Sequence, residues 1–252
     1  MKKTVVVLGL WLVGLAVAAE RRLNVPLLDT RPYGWSDAQG QAQGLYPDII
    51  AALARETGLV MEVKIVPFAR AASLVAGGEA DVTLMFANSF TQGRAVEVAV
   101  VFYTDQVVQL RPELAPATRQ ALAQLKLARV NGGCLELSQV TDTPASGFPK
   151  FQDLATQESG VQMLLAKRVD GFCTVQESLT DAINRTGTQV VFQNAQRLVL
   201  ASKPVFLMVS PALPQATVQR LTSALEQLRK TGELERIFRQ RLGKDYKLRS
   251  TH

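Results

Sequence analysis

Histidine is almost missing from this chain: the single one among 252 residues is His252, at the last position. That excludes a Ser–His or Cys–His catalytic pair and a histidine-rich metal site from the body of the fold. Cysteine is nearly as scarce, with only Cys134 and Cys173. An even count in an oxidising compartment allows one disulfide; two buried thiols are the alternative, since sequence carries no distance between them. After residue 19 no apolar run is long enough to span a bilayer. Internal repeats, low-complexity tracts and long basic runs are also lacking.

What is present starts with three parts in order. Met1-Lys2-Lys3 precedes an uncharged stretch from Thr4 to Ala19, and Val17-Ala18-Ala19 closes it with small residues. This is the pattern of a secretory signal peptide, removed after Ala19. A membrane anchor needs about 20 apolar residues, and this stretch is shorter. Loss of Lys2 and Lys3 lowers the net charge from +6 to +4, a mild excess suited to a solvated surface. The basic C-terminal end, with Arg236, Arg239, Arg241, Lys244, Lys247 and Arg249, fits a solvated helix face. A hydrophobic share of 47% permits a substantial core and argues against disorder.

Leu23 to Leu28 predicts a first strand, with Pro26 assigning it to an edge or irregular position. Pro47 opens a helix whose Ile49, Ile50, Leu53 and Ala54 share one face and which Gly58 ends. Met61 to Val66 alternates at period two, as a strand does. Ala69 to Ala76 predicts a short helix, and Asp81 to Phe86 a third strand. Strand and helix in alternation specify a parallel sheet with covering helices. Tyr103 to Leu110 predicts another strand, followed by a composition shift at Pro112 and Pro116. A second α/β set begins at Thr118, with a helix to Leu125, a strand from Leu127 to Val130 and the turn Asn131-Gly132-Gly133-Cys134. Helix Gly160 to Lys167, strand Val169 to Cys173, helix Glu177 to Asn184 and strand Gln189 to Phe192 come next. Val205 to Val209 predicts a buried strand, and two helices separated by Gly232 close the chain.

The segment from Pro67 to Arg94 carries most chemistry. Ligand sites in α/β sheets form beyond the carboxyl ends of strands, and Ser89, Thr91 and Arg94 follow a strand directly. Arginine offers a permanently charged planar fork that holds a carboxylate through two hydrogen bonds. In isolation, Arg94 pairs as readily with Glu97 or Asp105, and Phe68 at a strand end is as readily a core residue.

The order of these parts resembles the family 3 extracellular solute-binding proteins, the periplasmic receptors of polar amino-acid ABC transporters. The likeness rests on Gly44-Leu45-Tyr46-Pro47-Asp48, on Gly78-Glu79-Ala80-Asp81, and on Thr91-Gln92-Gly93-Arg94 continuing into Tyr103. It implies a type II periplasmic-binding-protein-like α/β fold, two α/β lobes joined by two crossover strands. The expected parts are signal peptide 1–19, first lobe 20–104, second lobe 105–203, and a return to the first lobe over 204–252. By resemblance, Arg94 grips a ligand carboxylate with help from Ser89, Phe68 stacks on the ligand, and Tyr33 or Trp35 supplies a first-loop aromatic. Arg70, in Pro67-Phe68-Ala69-Arg70, would receive a second anionic group. Gly133 and Cys134 would offer a turn of backbone N–H groups at a helix start.

The family's second-lobe strand ends in an aspartate that holds the ligand ammonium. Here Asp170-Gly171-Phe172-Cys173-Thr174-Val175 puts Val175 in that place, with Gln176 and Glu177 next to it. The resemblance implies a binding protein and no enzyme, a monomer without cofactor or nucleic-acid partner. Its ligand would be a small carboxylate-bearing solute and its partner a membrane permease. Two rivals share the fold: a periplasmic dehydratase-like enzyme, for which Glu177 is the carboxylate to examine as general acid, and a sensing module for a membrane receptor.

Overall fold

The structure is a computed structural model, which describes residues 22–88, 90–114, 117–130, 134 and 151–249. The signal segment, Ser89 and Gly133 lie outside the described residues.

Three parallel strands form the start of the fold: β1 (Leu23–Leu28), β4 (Met61–Val66) and β5 (Val82–Met85). β1 pairs with β4 in parallel, Leu28 opposite Val66. On its other side β1 meets β5 without a regular ladder. Asp81 N–H donates to Asn24 O at 2.9 Å, Asn24 N–H donates to the Asp81 carboxylate at 2.9 Å, and the Thr83 hydroxyl donates to Pro26 O at 2.7 Å. Pro26 therefore sits on a strand with a regular ladder on one side only, the edge or irregular position its missing N–H suggested. A threonine hydroxyl supplies the donor that keeps its carbonyl satisfied.

Between β1 and β4 come the short hairpin β2 (Trp35–Ser36) and β3 (Ala42–Gln43), then helix α1 (Leu45–Thr57). The helix starts two residues before Pro47, earlier than predicted. Leu45 and Tyr46 N–H groups donate to the carbonyls of Pro32 and Tyr33, so the first orphan donors are satisfied by the preceding loop. Proline in the first turn loses no helical bond. Helix α2 (Phe68–Ala76) leads into β5.

Two long strands dominate the rest. β6 (Val96–Leu110) and β10 (Arg197–Val209) run antiparallel over their whole length, each extending well beyond the segment predicted. β10 pairs with β5 at one end. β6 pairs at the other end with β9 (Gly171–Val175), which is parallel to β7 (Leu127–Val130), itself parallel to β8 (Gln152–Leu154). Helix α3 (Gln157–Leu165) precedes β9, and α4 (Gln176–Arg185) follows it at once. Residues Gln189–Phe192, expected as a strand, form the short helix α5, in which Val190 is 82% exposed. Short apolar runs do not reveal their own period, and the sheet place beside β6 is already taken by β10. The chain closes with α6 (Gln215–Lys230) and α7 (Glu233–Leu242).

The hydrophobic core divides along these two strands. Phe102 and Val205 belong to a cluster with α1, α6 and α7, including Ile49, Leu225 and Phe238. Val107 packs instead with Val161, Phe172 and Leu179, and Val108 and Leu200 with the two cysteines. Core membership thus changes between residues 102 and 107 of β6 and between 200 and 205 of β10. Gly160 on α3 permits the close approach of Phe172, whose ring lies 2.4 Å from where a β-carbon would stand.

Cys134 and Cys173 are joined, with Cα atoms 6.2 Å apart and a sequence separation of 39. Closing a loop of that size limits the unfolded chain, with a chain-entropy value of about 4 kcal/mol. Replacing both cysteines by serine is expected to cost about 2–4 kcal/mol of unfolding free energy, read as a lower urea midpoint, with a slope that rises as the freed unfolded chain expands.

Candidate functional site

The strand registers place the candidate site. Leu28, Val66 and Met85 end their strands at one level, and Met85 lies opposite Phe206, itself opposite Val100. From the other side, Val175 ends β9 opposite Gln106. Six residues of β6 therefore separate two sets of carboxyl ends that point toward each other, about 20 Å at strand rise. The segments entering this gap are 29–34, the start of α2, 86–88 and 90–95 from one side and the start of α4 from the other.

On the first side Phe68 stands at the start of α2 and is 36% exposed, and Phe90 is exposed in the turn before Arg94. Thr91 is buried, its hydroxyl donating to Asn88 O at 3.2 Å. This holds the turn that carries Arg94, whose N–H donates to Thr91 O. Arg94 itself is exposed, and among the described residues its guanidinium makes no ion pair or hydrogen bond. Glu97 and Asp105 are not its partners; Asp105 is held by Arg249. Arg70 lies apart from Arg94, along a cavity of about 300 Å³ beside β4 that also touches Lys64, Leu74 and Glu79.

Trp35 is partly buried, with the Arg31 guanidinium 3.9 Å above its ring and Arg241 at 5.6 Å. Arg241 is itself fixed by two hydrogen bonds to Asp48, at 2.6 and 3.0 Å. The basic C-terminal end is therefore not a uniformly solvated face.

Tyr33 is buried at 2% exposure, its ring 5.0 Å from Tyr46 and 6.3 Å from Phe102. Its hydroxyl donates at 2.9 Å to Glu177, the second residue of α4. The same carboxylate oxygen accepts from the Thr104 hydroxyl on β6, and the other accepts at 2.5 Å from Tyr246 beyond α7. Glu177 is 1% exposed, and three of its roughly four acceptor positions are taken, two on one oxygen and one on the other. The general-acid role weighed for Glu177 has no geometric support. Next to it, Ser178 donates to Arg31 O at 2.8 Å, a second link from the loop after β1 to α4.

Gln176 is partly exposed and lines a polar cavity of about 340 Å³ with Tyr103, Asp105, Glu177, Tyr246 and Arg249. Cys134 is buried in its disulfide, and Val175 packs against the first core cluster. Of the residues singled out in the sequence, Tyr33 from the first side reaches Glu177, beside Gln176 on the second, whereas Phe68 and Arg94 stand on the first side without such a link. Two features escaped sequence reasoning. Asp29 stands exposed directly after β1, at the level of Val66, whose carbonyl accepts its N–H; its place after a strand was the available signal. The tail carrying Tyr246 and Arg249 gave none, since only folding brings it to β6. No group of three His, Cys, Asp or Glu that could hold a metal occurs among the described residues. No helix among them is long and apolar enough to cross a membrane.

Two α/β units facing each other across a pair of long strands is the type II periplasmic-binding-protein fold. The chain belongs to the bacterial extracellular solute-binding proteins, family 3, whose model matches residues 25–244. No curated protein sequence matches it. Among solved structures it is similar to a histidine kinase sensor domain with similarity to periplasmic binding proteins, at 17% identity and TM-score 0.70, covering 92% of this chain and 99% of that one. The unliganded, open L-cystine solute receptor of Neisseria gonorrhoeae matches at 14% identity and TM-score 0.68, over 93% and 97%. An ancestral arginine-binding protein bound to glutamine matches at 19% and 0.66, over 88% and 98%. At these identities the likeness concerns the fold.

Burial raises the hydroxyl pKa of Tyr33 and Tyr46 well above the ordinary tyrosine value, and the Glu177 charge adds to it. Tyr246 is raised by the same two causes. Folding thus retains these protons, so the stabilisation is whole below about pH 10, the unfolded tyrosine value, and is lost as pH climbs beyond it. Alkaline titration followed by tyrosinate absorbance is expected to show three of the four tyrosines ionising only as near-UV dichroism collapses.

Proposed function

We propose that this protein is an extracytoplasmic receptor that captures a small carboxylate-bearing, amino-acid-like solute by closing two lobes, and that it delivers the solute to the permease of an ABC importer. The lobes divide at 104/105 and 203/204, where core membership changes along β6 and β10. The observation that carries this function is Arg94: an exposed guanidinium with no partner among the described residues, on a turn braced by Thr91, beside the facing strand ends.

Ligand enters against Arg94, with Ser89 as a hydroxyl donor, and meets the exposed ring of Phe68. Arg70 and the guanidinium-capped Trp35 border the first lobe, and Tyr33 holds its loop rather than touching solute. Closure brings up Gln176 and the turn at Gly133 and Cys134 from the second lobe. Expelling water lowers the local dielectric and strengthens the arginine–carboxylate contact. Export through the N-terminal segment places the mature monomer in the periplasm. Val175 and the buried, hydrogen-bonded Glu177 leave the end of β9 without a carboxylate for an ammonium group, which favours solutes without an α-ammonium or with one held from the first lobe by Asp29.

A sensing role for a membrane receptor is the second reading, favoured by the similarity to a histidine kinase sensor domain. A neighbouring permease and ATPase gene pair supports import; a neighbouring kinase or chemoreceptor gene supports sensing.

A thermal-shift panel of amino acids, hydroxy acids and dicarboxylates is expected to contain at least one compound that raises the melting temperature. For that compound, Arg94→Ala is expected to weaken affinity at least tenfold by calorimetry, as loss of about 1.5–3 kcal/mol of charged hydrogen bonding requires. Unchanged affinity removes Arg94 from the site.

A further inference from the structure

The segment after α7 is anchored on one lobe and reaches the other. Tyr246 and Leu248 pack against the first core cluster. The Tyr246 ring stacks on Phe238 of α7 at 5.6 Å and 22°, and its N–H donates to Gly243 O at 3.0 Å. From this base the Tyr246 hydroxyl crosses to Glu177 on α4. Three residues later the Arg249 carbonyl accepts the Tyr103 N–H at 2.7 Å. The Arg249 guanidinium donates to Asp105 on β6 and, at 3.1 Å, to Ser202 on β10.

These footholds fall where a hinge would bend. Tyr103 and Asp105 lie between Phe102 and Val107, and Ser202 lies between Leu200 and Val205, the two intervals in which core membership changes. Beyond Gln106 the edge of β6 is filled by β9. At Tyr103 the tail supplies the acceptor instead. The contacts across to α4 and the strands are made by polar tips, and a cavity of about 340 Å³ lies among them. Such contacts release without tearing a packed apolar face, whereas the tail's base stays seated on the first lobe.

We propose that residues 243–249 form a strap that fixes the angle between the lobes of the free protein, with Glu177 as its positioning residue on the second lobe. The inference rests on the hinge-closing function above. Because rotation about β6 and β10 changes the spacing of α4, Asp105 and Ser202, the strap sets how much solute-binding energy is spent on closure. Glu177 acts only through Tyr246, Tyr33 and Thr104 and never touches solute.

The test is made on ligand-free protein, so its outcome is independent of whether Arg94 binds anything. Nitroxide labels at Lys230→Cys on α6 and Val190→Cys on α5 report the distance between lobes by pulsed dipolar spectroscopy, the native cysteines being paired. Amide exchange at Tyr103 reports the strap itself. In a Tyr246→Phe, Arg249→Ala double variant, which keeps the ring stack on Phe238, the distance distribution is expected to shift or broaden beyond the width of the parent. Tyr103 exchange is expected to accelerate at least tenfold. A folded double variant with the parental distribution overturns the proposal, whatever its melting temperature. If the double variant fails to fold, Arg249→Ala alone is measured, and an unchanged distribution with unchanged Tyr103 exchange overturns it equally.

Discussion

A buried carboxylate is costly unless its oxygens are hydrogen-bonded, and Glu177 meets that condition with three hydroxyls from three distant parts of the chain. Tyr33 comes from the loop after β1, Thr104 from the middle of β6, and Tyr246 from beyond the last helix. The arrangement binds those parts to one another, because losing any donor leaves part of a buried charge unsatisfied. Tyr33 packs on Tyr46 and Phe102, and Tyr246 stacks on Phe238, so the polar contact and the apolar packing depend on the same two tyrosine rings. The position of Glu177 in the first turn of α4 adds a favourable interaction with the helix dipole.

The second constraint is the length of β6 and β10. A strand that leaves one core and enters another needs a stretch that belongs to neither, and it needs local freedom to bend. β10 has register shifts between Val199 and Ala201 and between Val205 and Phe206, which bracket the stretch between the cores. Bulges break the ladder locally and increase twist. Pro204, opposite Tyr103 in the stretch between the two shifts, has no N–H to offer the ladder, which weakens pairing there. The bend is thus written into β10, while β6 is held at the same level by the strap and by Thr104.

Much of this was legible from local pattern. The strands β1, β4 and β5, the helices α1, α2, α6 and α7, and the family resemblance followed from periodicity, Gly and Pro punctuation and short motifs. One failure was local: Val96 to Phe102 is valine-rich with Val96, Val98 and Val100 at alternating positions, a strand signal that the predicted segment left out, and β10 runs beside it. The others share a cause, which is that pairing partners decide what local pattern cannot. Gln189 to Phe192 has strand-forming residues but no free sheet edge. Pro26 signalled its irregular place through its missing donor, which is visible in sequence, whereas the Thr83 hydroxyl that satisfies its carbonyl lies 57 residues away. Glu177 looked like an available acid because nothing in its neighbourhood in sequence announces Tyr33 or Tyr246.

The same distant pairing bears on what the cleft can recognise. Charge available to a solute must come from groups not already committed, and among the described residues around the end of β9 little is left: Glu177 is enclosed, Asp170 is held by Arg111 and by the Lys126 N–H, and Val175 is apolar. Asp181 is half-buried, and its carboxyl is raised above the usual range by that burial, against the pull of Arg185 and Arg31. On the first lobe, Arg94 and Asp29 are exposed at the ends of neighbouring strands. On the function proposed above, recognition by charge would then rest with the first lobe, and Gln176 would add an amide from the second after closure. A solute would bind the open first lobe through its ionic groups and gain the rest of its affinity from shape and desolvation. In such a division of labour, the free energy of bending β6 and β10 enters every affinity the protein has.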